Sequence, residues 1–168
     1  LTPDDGLKYQ QIMMTDAIAL KDMSRSMTTE SSLVPLSALN PFESLTPEQI
    51  SEWAGYHLQY VDFKDVVNEE GLHQLPDFPG LYFVYFIIYD SKGKWTENLV
   101  YIGIATTSIS QRWKSNHQVP MFGKMHKLGI EILIRTFTLL PGMVTSETLQ
   151  MWEQSLIQKV HPVFNEEM

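Results

Sequence analysis

The spacing of apolar residues changes character along the chain. Over residues 4–24, "DDGLKYQQIMMTDAIALKDMS", Leu7, Ile12, Met13, Ile18 and Leu20 recur at helical intervals among polar neighbours, which predicts one amphipathic helix. The stretch that follows, "SRSMTTESSLVPLSALNPFES", holds neither the helical nor the strand period and reads as a loop, because Ser, Thr and Pro dominate it. A second helix is expected from "SLTPEQISEW": Thr46 can cap its end, Pro47 suits the first turn, and Glu48 favours the positive end of the helix dipole.

From "PDFPG" onward the pattern becomes strand-like. "LYFVYFIIYD" is rich in aromatic and β-branched residues and apolar on both faces, so it reads as a strand covered on both sides. "SKGKWTEN" has the character of a hairpin loop with Gly93 available for positive φ, and "LVYIGIA" follows as the second strand. "TTSISQRWKSNH" predicts a helix with Ile109 and Trp113 facing inward, "IEILIRTFTLL" a third strand, and "TSETLQMWEQSLIQKV" a last helix with Leu149, Trp152, Leu156 and Val160 as its core stripe. The order β, β, α, β, α predicts an α+β domain over residues 78–168, preceded by a helical N-terminal extension over residues 1–77.

Length and composition narrow the picture. The 168 residues suffice for one domain with a real core, and no apolar run reaches the length of a membrane span, so a soluble, cytoplasmic protein is expected, with the secreted part of a larger effector as the lesser alternative. A chain beginning at Leu1 fits a trimmed protein or a fragment of a longer one. The absence of cysteine excludes disulfides, thiol nucleophiles and cysteine-ligated zinc. The net charge of −8 speaks against a generally nucleic-acid-binding surface, but residues 90–135 carry 7 basic and 3 acidic side chains, a local excess of +4. An anionic partner at that segment and an ordinary solvated lysine surface both fit this asymmetry.

Several residues have the chemistry of a site. Glu153 sits at the margin of the last helix's apolar stripe, where a carboxylate is costly unless paired, protonated or metal-bound, although reaching solvent or a lysine would serve equally. Arg112, beside Trp113, borders the apolar face of its own helix; it is either a solvated arginine or a planar, bidentate phosphate ligand. His117 and His126 are proton carriers or phosphate contacts by residue type, His126 more simply a surface histidine. Gly103 leaves an empty position beside Tyr101 on the same strand face, as a close approach would require. Tyr82 and Tyr101 are at home in strands, and Asn165 can close a C-terminal turn.

In order, "GLY" at residues 80–82, "YIG" at 101–103, Arg112, "EQSLI" from Glu153, and Asn165 in "HPVFN" resemble the signature of the GIY-YIG nuclease family, over roughly residues 79–166. The resemblance implies a small three-stranded antiparallel sheet flanked by helices, and an endonuclease that hydrolyses phosphodiesters, most simply in DNA, with one Mg2+ or Mn2+ ion. It implies Glu153 as metal ligand, Arg112 as stabiliser of phosphate charge, Tyr82 and Tyr101 at the reacting centre, Asn165 as support, and His117 as the histidine some members carry after the arginine. Gly103 would admit the substrate. Ile104 stands where several members have lysine, leaving Lys114 and Lys124 to assist from elsewhere. A catalytically weak or inactive nucleic-acid-binding module on the same fold and a toxic nuclease domain of a larger secreted effector are the alternatives.

Overall fold

The computed structural model describes residues 40–66 and 74–165. The helix expected over residues 4–24 lies outside the described residues. Those described form helix α1 (Pro47–His57), strand β1 (Gln59–Asp62), a 3-10 turn (Phe63–Asp65), strands β2 (Gly80–Tyr89) and β3 (Trp95–Ala105), helices α2 (Ile109–Ser115) and α3 (Val119–Lys127), strand β4 (Glu131–Thr138) and helix α4 (Ser146–Val160). Among the described residues no helix is long and apolar enough to cross a membrane.

The strands make one antiparallel sheet in the order β1-β4-β2-β3. Strand β2 lies inside it, which is why its first seven residues are buried on both faces. One face packs on α1 and α4 through Phe42, Trp53, Phe83, Phe137, Trp152 and Leu156. The other packs on α2 and α3 through Tyr82, Tyr101, Ile109, Trp113 and Phe122. Capping follows the local sequence: Thr46 and Gln49 exchange side-chain to backbone hydrogen bonds of 3.1 and 2.9 Å at the start of α1, with Pro47 in the first turn. Gly93 takes φ +81° in the β2–β3 hairpin, where Asp90 Oδ1 accepts from the backbone N–H groups of Lys92 and Lys94.

The sheet corrects the fold expected from the resemblance. It has four strands rather than three, and the fourth, β1, comes from upstream of residue 78 and pairs with β4. The helix α1 before it belongs to the core through Ile50, Trp53 and Ala54. A further helix, α3, stands between α2 and β4, so the order from residue 80 is β, β, α, α, β, α. The topology is that of an α+β domain with a four-stranded sheet, unlike the three-stranded GIY-YIG arrangement, and membership of that family is not sustained.

Candidate functional site

Strand β3 is an edge of the sheet, and the candidate residues collect along it. A β-bulge interrupts its pairing with β2: Val84 lies opposite Tyr101 but Tyr85 opposite Leu99, so Val100 is the extra residue. Val100 and Tyr101, although consecutive, therefore both enter the core on the α2–α3 side. The exposed edge of β3 is closed by the chain after α4. Phe164 N–H donates to the Val100 carbonyl at 3.0 Å, and Asn165 grips Ile102 twice, accepting its N–H at 2.8 Å and donating to its carbonyl at 2.9 Å. Asn165 thus satisfies an edge residue that lies between Tyr101 and Gly103.

The space that Gly103 leaves is filled from within the protein. Tyr82 is its direct partner across the β2–β3 ladder, and a Cβ at Gly103 would collide with the Cζ and hydroxyl of Tyr82. The glycine is needed so that the Tyr82 ring can lie across β3. There Tyr82 and Tyr101 converge, with ring centroids 6.2 Å apart, and Trp113 of α2 packs edge-on against Tyr82 at 5.9 Å. Asn116, the buried residue that ends α2, joins the two phenols: its Nδ2 donates to Tyr82 Oη at 2.6 Å and to Tyr101 Oη at 3.2 Å. Burial, then the neighbouring Tyr101, pushes the Tyr82 phenol well above its ordinary range, with Glu153 adding to the rise and Asn116 and Arg112 opposing it.

Those same influences place Arg112 of α2 and Glu153 of α4 beside Tyr82. Both residues are half-buried, and the Arg112 charge acts on the Glu153 carboxyl. Among the described residues, however, neither side chain makes a hydrogen bond or ion pair. Loss of hydration raises the Glu153 carboxyl from its usual range to about 7, even though the Arg112 guanidinium pulls it down. At neutral pH this carboxyl can therefore donate or accept a proton, beside a cation that always carries its charge.

The structure brings together Tyr82, Tyr101, Gly103, Arg112, Glu153 and, through the backbone, Asn165. It does not bring His117 to them: that residue is exposed after the end of α2, and no hydrogen bond or ion pair joins it to the group. Lys114 and Lys124 are exposed on α2 and α3. Asn116 is the residue that sequence reasoning missed. It lies four positions after Arg112, hence on the same side of α2, and that spacing was the available signal.

Among the described residues no group of three or more His, Asp or Glu side chains is arranged to hold a metal ion, and a single carboxylate falls short of a protein-built cation site. Together with the four-stranded topology, this overturns the assignment as a GIY-YIG-type metal-dependent endonuclease. The inactive module and the effector nuclease, both framed on that fold, fall with it. No family model, no curated protein and no solved structure matches the chain.

Proposed function

We infer that the domain binds a phosphate-bearing ligand at the β3 edge, between Arg112 and Glu153, and that its partner is nucleic acid. The observation that carries this reading is a half-buried guanidinium left without an ion pair among the described residues, within electrostatic reach of a carboxyl that is neutral for much of its time near pH 7. A buried charge without a partner is costly, and an anion of matching planar geometry relieves that cost. The neutral carboxyl can donate to a phosphate oxygen rather than repel it.

The layer around the site supports the polyanion. Residues 109–127, which span α2 and α3, carry Arg112, Lys114, Lys124 and Lys127 and no acidic side chain at all. In a chain of net charge −8, this is where a phosphate backbone meets the least repulsion. A Mg2+ or Mn2+ ion would be held here by Glu153 alone among the protein groups, in its ionised form, and would take the place of the proton that the neutral carboxyl gives to phosphate.

The test is fluorescence anisotropy of labelled single- and double-stranded oligonucleotides, DNA and RNA, with and without Mg2+. Removing a charge-assisted hydrogen bond costs about 1.5–3 kcal/mol, so Arg112→Ala is expected to weaken binding at least about tenfold. Wild-type protein binds more tightly at pH 6 than at pH 8, because Glu153 ionises between them and then repels the ligand, and Glu153→Gln flattens this dependence. An Arg112→Ala variant that binds as tightly as wild type would overturn the reading.

A further inference from the structure

We propose that Asn116 is a positioning residue that turns Tyr82 and Tyr101 into a pair of proton donors, and so sets the site to receive an oxyanion such as the non-bridging oxygens of a phosphate ester. The proposal deepens the phosphate-binding reading above and rests on it for the identity of the ligand.

The orientation of the amide follows from its second contact. Asn116 Oδ1 accepts the backbone N–H of Gln118 at 2.8 Å, a bond that only the oxygen end can make. The nitrogen end must then face the tyrosines, and its two hydrogens go to the two phenol oxygens at 2.6 and 3.2 Å. A phenol that accepts from an amide keeps its own O–H to give away. Among the described residues no acceptor takes either phenol proton. Asn116 is itself only 3 % exposed, so solvent does not compete for its amide.

The surroundings keep the Tyr82 phenol in this state. Burial holds the Tyr82 phenol protonated at neutral pH, which makes it a donor there rather than a base. Arg112 and Glu153 lie within electrostatic reach of that same phenol. An oxyanion beside them meets a guanidinium and a carboxyl able to donate, and reaches the phenol protons that Asn116 has freed by displacing part of the cover that leaves Tyr82 0 % and Tyr101 4 % exposed.

The protein, labelled with carbon-13 at tyrosine Cζ, is titrated with a short single-stranded DNA oligonucleotide and separately with inorganic phosphate. Signals of the two tyrosines are assigned by their loss in Tyr82→Phe and Tyr101→Phe. In wild type the oligonucleotide shifts both signals. In the free protein Asn116→Leu shifts both and leaves those of the exposed Tyr56, Tyr60 and Tyr89 in place; Asn116→Asp moves both toward the phenolate position, because each phenol then donates to a carboxylate. Asn116→Leu also weakens oligonucleotide binding at least about tenfold without adding charge. Binding within about twofold of wild type in Asn116→Leu, with both signals responding as before, overturns the proposal. If wild type binds neither probe, the phosphate reading fails, and so does the oxyanion role assigned to the phenols. Unchanged Cζ signals in free Asn116→Asp or Asn116→Leu overturn the positioning role whatever the ligand; Asn116→Asp alone decides this if the leucine variant does not fold.

Discussion

The domain contains two arginine–glutamate arrangements that the same residue types treat in opposite ways. In the first, Arg135 of β4 is buried, its Nη1 donates to Glu97 Oε1 at 2.7 Å, and its guanidinium lies over the rings of Tyr85 at 5.0 Å and Tyr60 at 5.9 Å. In that closed arrangement the charge is paired and the guanidinium is stacked within the protein, although the buried Arg135 Nε and Tyr85 Oη have no hydrogen-bond partner among the described residues. In the second, Arg112 and Glu153 come from different helices, lie within electrostatic reach, form no ion pair among the described residues, and leave a carboxyl raised to about 7. The difference teaches that an arginine–glutamate arrangement earns a functional reading from charge left unpaired, since the charge of Arg135 is already met by Glu97.

The comparison can be broken most forcefully at the closed pair. Arg135 is buried and Glu97 exposed, so Arg135→Ala removes a charge-assisted hydrogen bond and the ring stacking without stranding a buried charge; it is expected to cost about 2–3 kcal/mol in urea unfolding while the remaining folded protein binds oligonucleotide normally. A loss below about 0.5 kcal/mol would show that the pair is merely superficial. Gly103→Val should come next, at about 1–3 kcal/mol, because the new side chain must displace the buried Tyr82 ring, and thermal unfolding reads the loss.

Glu153 provides a smaller effect with a defined sign. Its carboxyl is raised from 4.5 to about 7, so the stability of the folded state relative to an unshifted group is fully present below pH 4.5 and lost as pH rises through 7. Glu153→Gln removes that loss. After allowance for partial solvent screening it should be more stable than wild type by about 1–2 kcal/mol at pH 8, with no gain at pH 4, as read from urea unfolding at both values. Arg112→Ala is expected to change stability least, by about 0.5 kcal/mol or less, because no direct bond is broken. A destabilisation as large as that of Arg135→Ala would erase the contrast between the two arrangements.

Much of this architecture was legible from the chain. The strong strands β2, β3 and β4, the Thr46 cap and the Leu149, Trp152, Leu156 stripe all announce themselves through periodicity and capping chemistry. Strand β1 did not, because it has four residues of which two are exposed and two half-buried, too short and too polar for the alternating pattern to stand out. Helix α3 was hidden by Pro120 near its start and Gly123 within it, both weak helix signals, although Phe122 anchors it in the core. Missing β1 made a four-stranded sheet look three-stranded, and missing α3 joined α2 directly to β4. At the site, Tyr82, Tyr101, Arg112 and Glu153 were visible as residue types. The filling of the Gly103 space by Tyr82 and the bridging role of Asn116 depend on contacts across 21 and 34 positions of the chain, which no local pattern encodes.

The most direct test of the open pair is the proton count on binding. An anion beside Glu153 opposes its ionisation and screens the help it receives from Arg112, so the carboxyl takes up a proton as the ligand enters. Calorimetric titration of a single-stranded oligonucleotide at pH 7.5, in buffers of different ionisation enthalpy, should show net proton uptake in wild type and none in Glu153→Gln, with affinity lost in Arg112→Ala. Equal affinity in all three proteins, with no proton taken up by any, would contradict a phosphate site between Arg112 and Glu153.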